Sequence, residues 1–174
     1  MNRFATSRLL IRPLEPGDAA GLFAYRSDPA VVRYQMWRPK DPREVRVFIR
    51  AQHGLAPGIP GVWFQFAIVE LDSGALIGDS GLHVPLDHPD SIEIGLTLRT
   101  EAQGKGFATE ALTALVDFCF RTLHVRLIHA RIHPENARAI ALIERGGFSR
   151  LATRRDDDLH FTLRRGHWER KQTS

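Results

Sequence analysis

The stretch RTEAQGKGFATEA, residues 99–111, places two glycines where a strand pattern ends and an apolar helix pattern begins. A helix that begins at a flexible turn leaves its first backbone N–H groups unpaired and pointing in one direction. Gly104 and Gly106 can adopt positive φ and let a ligand approach the backbone, and the helix dipole favours negative charge there. The stretch therefore predicts a strand–turn–helix unit able to hold an anion such as a diphosphate.

Two well-known nucleotide-binding motifs do not account for this turn. A P-loop has four residues between its glycines, followed by Lys and Ser or Thr, and that order is absent here. A dinucleotide-binding turn has a third glycine, where this chain has Thr109, and it lies near the first strand rather than in the middle of the chain. Considered alone, the turn is equally compatible with a purely structural helix start.

Length and composition indicate one ordinary globular domain over residues 1–174, with a basic tail at about 165–174. The formal charge of +4 is compatible with an acidic ligand, and nucleic acid is not the expected partner. The single cysteine, Cys119, excludes an intramolecular disulfide and fits a cytoplasmic location; its apolar helical surroundings indicate a buried thiol. Residues 1–20 carry charges and prolines, so we expect neither a signal peptide nor a membrane span.

Periodicity and turn residues predict alternating strands and helices. The predicted strands are 7–14, 62–71, a hairpin partner ending near 84, 92–98, 125–132, 148–153 and 159–164, and the predicted helices are 18–27, one beginning at 41–44, 108–123 and 134–145. Asp18 and Asp41 are predicted to cap the first two helices, and Gly146 and Gly147 to end the last. The final two strands are predicted to turn at residues 154–158. Together these elements predict an α/β domain with one mixed sheet.

The order of these motifs resembles the GNAT acyltransferase superfamily. The matching segments are IEIGLTLRTEAQGKGFATEAL (92–112) and HPENARAIALIERGGF (133–148). The opening segment 7–34 and the closing segment 159–168 are similar to the RimJ/RimL branch, which acetylates protein N-termini. The resemblance covers nearly the whole chain. It implies the GNAT fold, an α/β (α+β) single domain whose mixed, mostly antiparallel central sheet is splayed at a cofactor wedge and flanked by helices.

The resemblance also implies acetyl-CoA as the cosubstrate. Residues 103–108 would cradle its diphosphate, and backbone groups near Leu96 and Leu98 would pair with its pantetheine arm. Asn136 would contact the same arm, although a cap or turn residue after Pro134 is an open alternative. The cofactor-binding residues implied in this way are Leu96, Leu98, Gln103, Gly104, Lys105, Gly106, Phe107, Ala108 and Asn136.

Glu93 is the predicted general base. It alternates away from Ile92 and Ile94 on its strand, and similar enzymes often use a carboxylate near this place, directly or through water. A solvated strand residue is an equally good interpretation of Glu93. His83 and His160, each on a predicted strand, are weaker candidates.

No side-chain general acid is evident. Many members of the superfamily carry a serine three residues after the asparagine, where this chain has Ala139, and others use a tyrosine on that helix. The tyrosines of this chain, Tyr25 and Tyr34, lie in its N-terminal half. Water is the remaining proton donor.

A metal site is not predicted, despite the eight histidines. His129 and His133 would be roughly 13 Å apart on an extended strand at ~3.3 Å per residue. A cysteine pair and an HExxH motif are both absent from the sequence. Asp156, Asp157 and Asp158 are interpreted as turn residues that could also attract a cationic substrate.

These observations predict an N-acetyltransferase that transfers an acetyl group from acetyl-CoA to a primary amine, by direct attack without an acyl-enzyme. The acceptor would be a protein N-terminus or a small-molecule amine. Two alternatives remain open: a non-catalytic acyl-CoA-binding sensor on the same fold, and a basic nucleic-acid-binding domain. No membrane partner is expected, and oligomeric state stays open, with a homodimer among the alternatives.

Overall fold

The computed structural model describes residues 2–152 and 157–173, whose strands form one sheet flanked by helices. In chain order the elements are β1 (Phe4–Ala5), β2 (Leu9–Pro13), α1 (Ala19–Arg26), α2 (Pro29–Val32), α3 (Pro42–Gln52), β3 (Trp63–Glu70), β4 (Leu76–His83), β5 (Ser91–Leu98), α4 (Phe107–Arg121), β6 (Leu127–Ile132), α5 (Ala137–Arg145), β7 (Ser149–Arg150), β8 (Leu159–Arg164) and α6 (Arg165–Gln172). The strand order is β1-β2-β3-β4-β5-β6-β8-β7. Among the described strands, β5 and β6 pair in parallel and the other neighbours pair antiparallel. The predicted fold class is confirmed.

Different helices cover the two faces of the sheet. On one face, Ile92 of β5 and Leu115 of α4 belong to the larger buried cluster, against which α5 also packs. On the other face, Leu22 of α1 and Val45 of α3 pack with Ala67 of β3. Strand alternation explains this division, because successive side chains point to opposite faces.

The parallel pair separates part-way along its length. Pairing between β5 and β6 ends at Glu93 and His129, whereas each strand stays paired with its other neighbour beyond that point. We call the opening between residues 94–98 of β5 and residues 130–132 of β6 the wedge. Its presence confirms the predicted splaying of the sheet.

The prediction that Asp18 caps α1 is wrong. Its carboxylate accepts two hydrogen bonds from the Arg12 guanidinium, at 2.7 and 2.8 Å, and one from the Glu15 N–H, at 2.7 Å. A buried carboxylate requires such a cation, so this pairing takes precedence over the cap. Asp41 does cap α3, because its Oδ1 accepts the Arg43 N–H at 2.7 Å.

The C-terminal third also differs in detail from the prediction. Helix α5 begins three residues later than predicted, because Pro134 belongs to a turn that ends at the N-cap Asn136. The predicted strand 148–153 is represented by the short β7, and the predicted turn at 154–158 lies largely outside the described residues. The basic tail forms α6, whose Trp168 Nε1 donates to Asp117 Oδ1 of α4 at 2.8 Å.

Cys119 is fully buried within α4, as its helical pattern predicts. Burial raises the pKa of its thiol, so this side chain stays protonated and unreactive. None of the described helices combines the length and the apolar character needed to cross a membrane.

Candidate active site

Residues 103–108, which we call the glycine loop, lead from β5 into α4. Gly104 and Gly106 are exposed and adopt φ values of +75° and +82°, a region that favours glycine. Gly106 is the N-cap residue of α4 and offers no side chain to its N–H groups. The first N–H groups of α4 are therefore available to a ligand, and this arrangement suits a phosphate group.

Side chains of the glycine loop hold the loop in place more than they extend from it. Gln103 Nε2 donates to the Leu98 carbonyl at 3.0 Å, and Gln103 Oε1 accepts from Arg138 Nη1 of α5 at 3.0 Å. Phe107 is buried and Ala108 packs against the same core. These residues can contact a ligand mainly through their backbone, whereas the exposed Lys105 side chain can reach an anion directly.

The edge of β5 that faces the wedge carries backbone groups that β6 does not pair. The Arg99 N–H, just beyond the strand, donates to the Ile77 carbonyl of β4 at 2.9 Å. Because backbone groups alternate between the two edges of a strand, those of Leu98 and Leu96 point toward the wedge. The two predicted pantetheine-binding positions therefore face the opening. The Leu96 groups and the Leu98 N–H can pair there with an extended amide chain, whereas the Leu98 carbonyl already accepts Gln103 Nε2.

Asn136 occupies the turn between β6 and α5 at the other side of the wedge. Its Oδ1 accepts the Ala139 N–H at 3.2 Å, so the capping role left open by the sequence is present. The side-chain amide N–H groups are the part of Asn136 that can contact a ligand. Ala139 itself packs against the core and supplies no proton donor.

A row of four side chains crosses the sheet where the wedge begins. The cross-strand register pairs Trp63 with His83, His83 with Glu93, and Glu93 with His129. The rings of Trp63 and His83 stack with centroids 5.0 Å apart. We call these four residues the acceptor row. The structure thus joins two predicted base candidates, Glu93 and His83, on one partly exposed face.

Two further side chains surround Glu93. Arg131 Nε donates to Glu93 Oε1 at 2.8 Å. Burial lowers the pKa of His129, and the negative charge of Glu93 only partly opposes that effect. His129 is therefore neutral at neutral pH and able to accept a proton.

Neither of these two neighbours of Glu93 is predicted from the sequence. From the sequence, His129 is a candidate only for a metal site, and Arg131 has no assigned role. The alternation in residues 127–132 was the available signal, because it places both side chains on the face opposite the buried isoleucines. The other base candidate, His160, lies on β8, one strand farther from Glu93. It pairs in register with Arg131 of β6.

Residues 33–38, which we call the acceptor loop, reach across to the turn that precedes α5. The Tyr34 ring stacks on His133 with centroids 4.9 Å apart, and its hydroxyl donates to the Glu135 carbonyl at 3.4 Å. Arg33 forms an exposed ion pair with the same Glu135 at 3.6 Å. Tyr34 therefore lies near the wedge, which its position in the N-terminal half of the sequence did not indicate.

A buried ion pair anchors the acceptor loop. The Arg26 guanidinium donates to the Asp79 carboxylate at 2.5 and 3.1 Å, and the Tyr25 hydroxyl donates to the same carboxylate at 2.8 Å. Arg26 Nη1 also donates to Gln35 Oε1 at 3.2 Å, and its guanidinium lies 5.7 Å from the Trp37 ring. Burial alone would lower the Arg26 pKa, but Asp79 raises it above its usual value. Arg26 thus joins α1, β4 and the loop.

The residues around the wedge fit a long phosphorylated thioester such as acetyl-CoA. The glycine loop provides N–H groups for phosphate oxygens, and the open edge of β5 provides partners for amides.

Within residues 2–152 and 157–173, no cluster of three or more His, Cys, Asp or Glu side chains is placed to hold a metal ion. Of the aspartates predicted as a turn, Asp156 lies outside the described residues.

Comparisons with known proteins agree with this geometry. A family model of the acetyltransferase (GNAT) domain matches residues 8–149. The uncharacterised N-acetyltransferase p20 of Bacillus licheniformis is 32% identical over 157 residues, which cover 90% of this chain and 87% of that protein. The ribosomal protein uS5-alanine N-acetyltransferase of Escherichia coli is 30% identical over 109 residues, 62% of this chain and 54% of that protein, in agreement with a RimJ/RimL-like branch.

The fold likeness extends to solved structures. The aminoglycoside acetyltransferase AAC(6′)-Ib, in complex with coenzyme A and kanamycin, superimposes with a TM-score of 0.76 over 94% of this chain and 99% of that chain. Its sequence is 22% identical, so this match shows a shared fold. From the family match, the relatives and the geometry of the wedge, we conclude that the chain belongs to the GNAT acetyltransferases and uses acetyl-CoA as its cosubstrate.

Proposed function

We propose that this enzyme acetylates a primary amine that reaches the wedge from the acceptor row, with Glu93 as the general base. The observation that carries the proposal is the position of Glu93. It is the last residue of β5 paired with β6 before the two strands separate. Its carboxylate thus lies where a cofactor in the wedge and an amine on the open face would meet.

The cofactor side of the proposal uses backbone groups. The diphosphate would lie on the glycine loop at the start of α4, and the pantetheine arm would pair with the edge of β5 at Leu96 and Leu98. Bound acetyl-CoA supplies the acetyl group as a reactive thioester. A backbone N–H of β5 that faces the wedge would stabilise negative charge on the carbonyl oxygen.

The acceptor side uses the carboxylate of Glu93. An attacking amine must be neutral, and a protein α-amine has a pKa of ~7.7–8.0, well below the ~10.4 of a lysine amine. Glu93 would accept the proton directly or through a water molecule. The neutral imidazole of His129 next to it offers a second acceptor for the same proton.

Direct attack, without an acetylated enzyme, is supported by the state of the cysteine. A thiolate is the side chain best suited to accept an acetyl group from a thioester, and Cys119 is sealed in the core with a raised thiol pKa. We therefore expect a ternary complex of enzyme, acetyl-CoA and amine. Initial-rate plots should intersect, and mass spectrometry after incubation with acetyl-CoA alone should show unmodified protein.

The acceptor class follows from the relatives as a proposal. Similarity to the E. coli enzyme that acetylates the alanine terminus of ribosomal protein uS5 favours a peptide N-terminus, and likeness to the aminoglycoside enzyme keeps small amines in consideration. A cytoplasmic location, expected from the sequence, would suit either acceptor. An acceptor screen should therefore compare peptides beginning with alanine or serine with polyamines and aminoglycosides.

The first test is a calorimetric titration of the folded protein with acetyl-CoA, CoA and ATP. We expect saturable binding of the two coenzyme A species and none of ATP. Turnover of any amine in the screen would then exclude a sensor without activity. Failure of the folded protein to bind acetyl-CoA would contradict the proposed use of the glycine loop.

A further inference from the structure

The N-terminal segment is bonded to the beginning of α4 through one carboxylate. Glu110, in the first turn of the helix, accepts hydrogen bonds from Thr6 Oγ1 at 2.5 Å and Ser7 Oγ at 3.1 Å. It also accepts the Arg8 N–H at 2.9 Å and Arg8 Nε at 2.7 Å. Partial burial opposes ionisation of Glu110, but these bonds outweigh it and lower its pKa to about 2. The carboxylate is therefore a fixed, charged anchor.

Arg8 continues from this anchor into the glycine loop. Its Nη2 lies 2.6 Å from Glu110 Oε2, and its Nη1 donates to the Lys105 carbonyl at 3.0 Å. The guanidinium carbon is 4.5 Å from the centre of the Phe107 ring. A Cβ at Gly106 would lie 3.3 Å from Nη2. One guanidinium therefore contacts Lys105 and Phe107 and lies beside the intervening Gly106, while its charge is paired with Glu110.

The bond to the Lys105 carbonyl determines where the next N–H points. In a planar trans peptide, the C=O of one residue and the N–H of the next are directed oppositely. When Arg8 holds the Lys105 carbonyl, the Gly106 N–H is turned away from Arg8 and toward the open side of the loop. A carbonyl oxygen on that side would repel a phosphate, so the same bond also removes an unfavourable group from the anion site.

We propose that Arg8, anchored by Glu110, is a positioning residue that sets the glycine loop in its phosphate-binding shape. This inference rests on the proposed placement of the acetyl-CoA diphosphate at the loop. Arg8 lies between β1 and β2, about a hundred positions from the loop in sequence. The inference gives this residue a part in cofactor affinity. Its paired charge makes it a support for the loop rather than a direct attractor of phosphate.

The test compares CoA affinity in two variants that both lose a bond to Glu110. Arg8→Met removes the hold on the Lys105 carbonyl, and Thr6→Val removes a bond to Glu110 while leaving that hold intact. We expect calorimetry with CoA to show a Kd raised about tenfold in Arg8→Met and unchanged in Thr6→Val. Both measurements are made at a temperature where circular dichroism shows each variant folded, and Arg8→Ala, which also lacks a donor for the Lys105 carbonyl, serves as the replacement if Arg8→Met does not fold.

Two results would overturn this role for Arg8. One is a CoA affinity in the Arg8 variant equal to that of the unmodified protein, and the other is an equal loss in Thr6→Val. Gly106→Val separates the two proposals. If Gly106→Val weakens CoA binding and the Arg8 variant does not, only the positioning role fails. If neither weakens it, the placement of the cofactor at the loop fails as well.

Discussion

The glycine loop and the acceptor row lie beside the same wedge but are built in different ways. The glycine loop consists of consecutive residues and presents mostly backbone, because its side chains other than that of Lys105 are held elsewhere or packed in the core. The acceptor row takes one side chain from each of four strands. A site made of backbone depends on conformation, and a site made of side chains depends on register and on residue identity. The cofactor side is therefore expected to be sensitive to glycine changes and the acceptor side to changes of charge.

The largest expected effect tests the stability of the acceptor side. Arg26→Met would leave the Asp79 carboxylate buried without its cation, and breaking a buried ion pair in this way costs about 3–5 kcal/mol in the free energy of unfolding. Urea denaturation measures the loss. Arg43→Met is the matched control, because its ion pair with Asp41 is exposed and such pairs contribute little. A similar loss of unfolding free energy in both variants would show that burial of the Arg26–Asp79 pair does not stabilise the acceptor loop.

A change of charge in the acceptor row tests its chemistry. Glu93→Gln keeps the size of the side chain and removes the base, so we expect turnover to fall about 100-fold, with CoA affinity unchanged. The loss should be greatest at low pH, because at high pH more of the amine is already neutral. A pH–rate profile that matches the unmodified enzyme would remove Glu93 from the mechanism and return it to the role of a partner for Arg131.

A glycine change tests the cofactor side. Gly106→Val forces a branched side chain into positive φ beside Arg8 and should weaken acetyl-CoA binding at least tenfold, roughly 1.4 kcal/mol. Gly74→Val is the matched control, since Gly74 also has positive φ (+66°) but lies in the β3–β4 turn with open space around it. Calorimetry should separate the two variants. Equal affinities would mean that the loop does not hold the cofactor.

The smallest expected effect is a change in how the stability of the fold depends on pH. Glu110 has a folded pKa of about 2, below an unfolded value of about 4.3. The group therefore stabilises the fold above the unfolded pKa, and this contribution is lost as pH falls from about 4.3 toward 2. As pH falls across that range, the thermal unfolding temperature should decrease more steeply in the unmodified protein than in Glu110→Gln. Parallel curves would show that the Glu110 anchor adds nothing to stability, and solvent near the carboxylate keeps the expected difference modest.

Features that depend on neighbouring residues were predictable from the sequence. The glycine loop, the cap at Asp41 and the alternation that exposes Glu93 each involve a few adjacent positions, and all three are present. Asp18 does not cap α1 because its carboxylate is bonded to the guanidinium of Arg12, which lies on β2. A cap is inferred from sequence distance, whereas an ion pair requires knowledge of which side chains meet.

Contacts between distant elements were not predictable in the same way. Arg26 meets Asp79 and Arg8 meets Glu110 only after α1, β4 and α4 have been placed on the sheet. The pairing of Glu93 with His129 depends on the register of a parallel pair joined by α4, and nothing in the local pattern fixes that register. The same limit explains why Tyr34, far from α5 in sequence, was not expected beside His133.

The unpaired edge inside the sheet has a consequence for amide hydrogen exchange. Leu96 lies in a central strand, where backbone hydrogens normally exchange only when the fold opens. Its N–H points into the wedge and not toward β4, so it should exchange with solvent deuterium far faster than the N–H of Thr97 beside it. A bound chain of amides would protect that one hydrogen. The exchange rate of Leu96 relative to Thr97 would then report, residue by residue and without any assay of turnover, how often the wedge is filled.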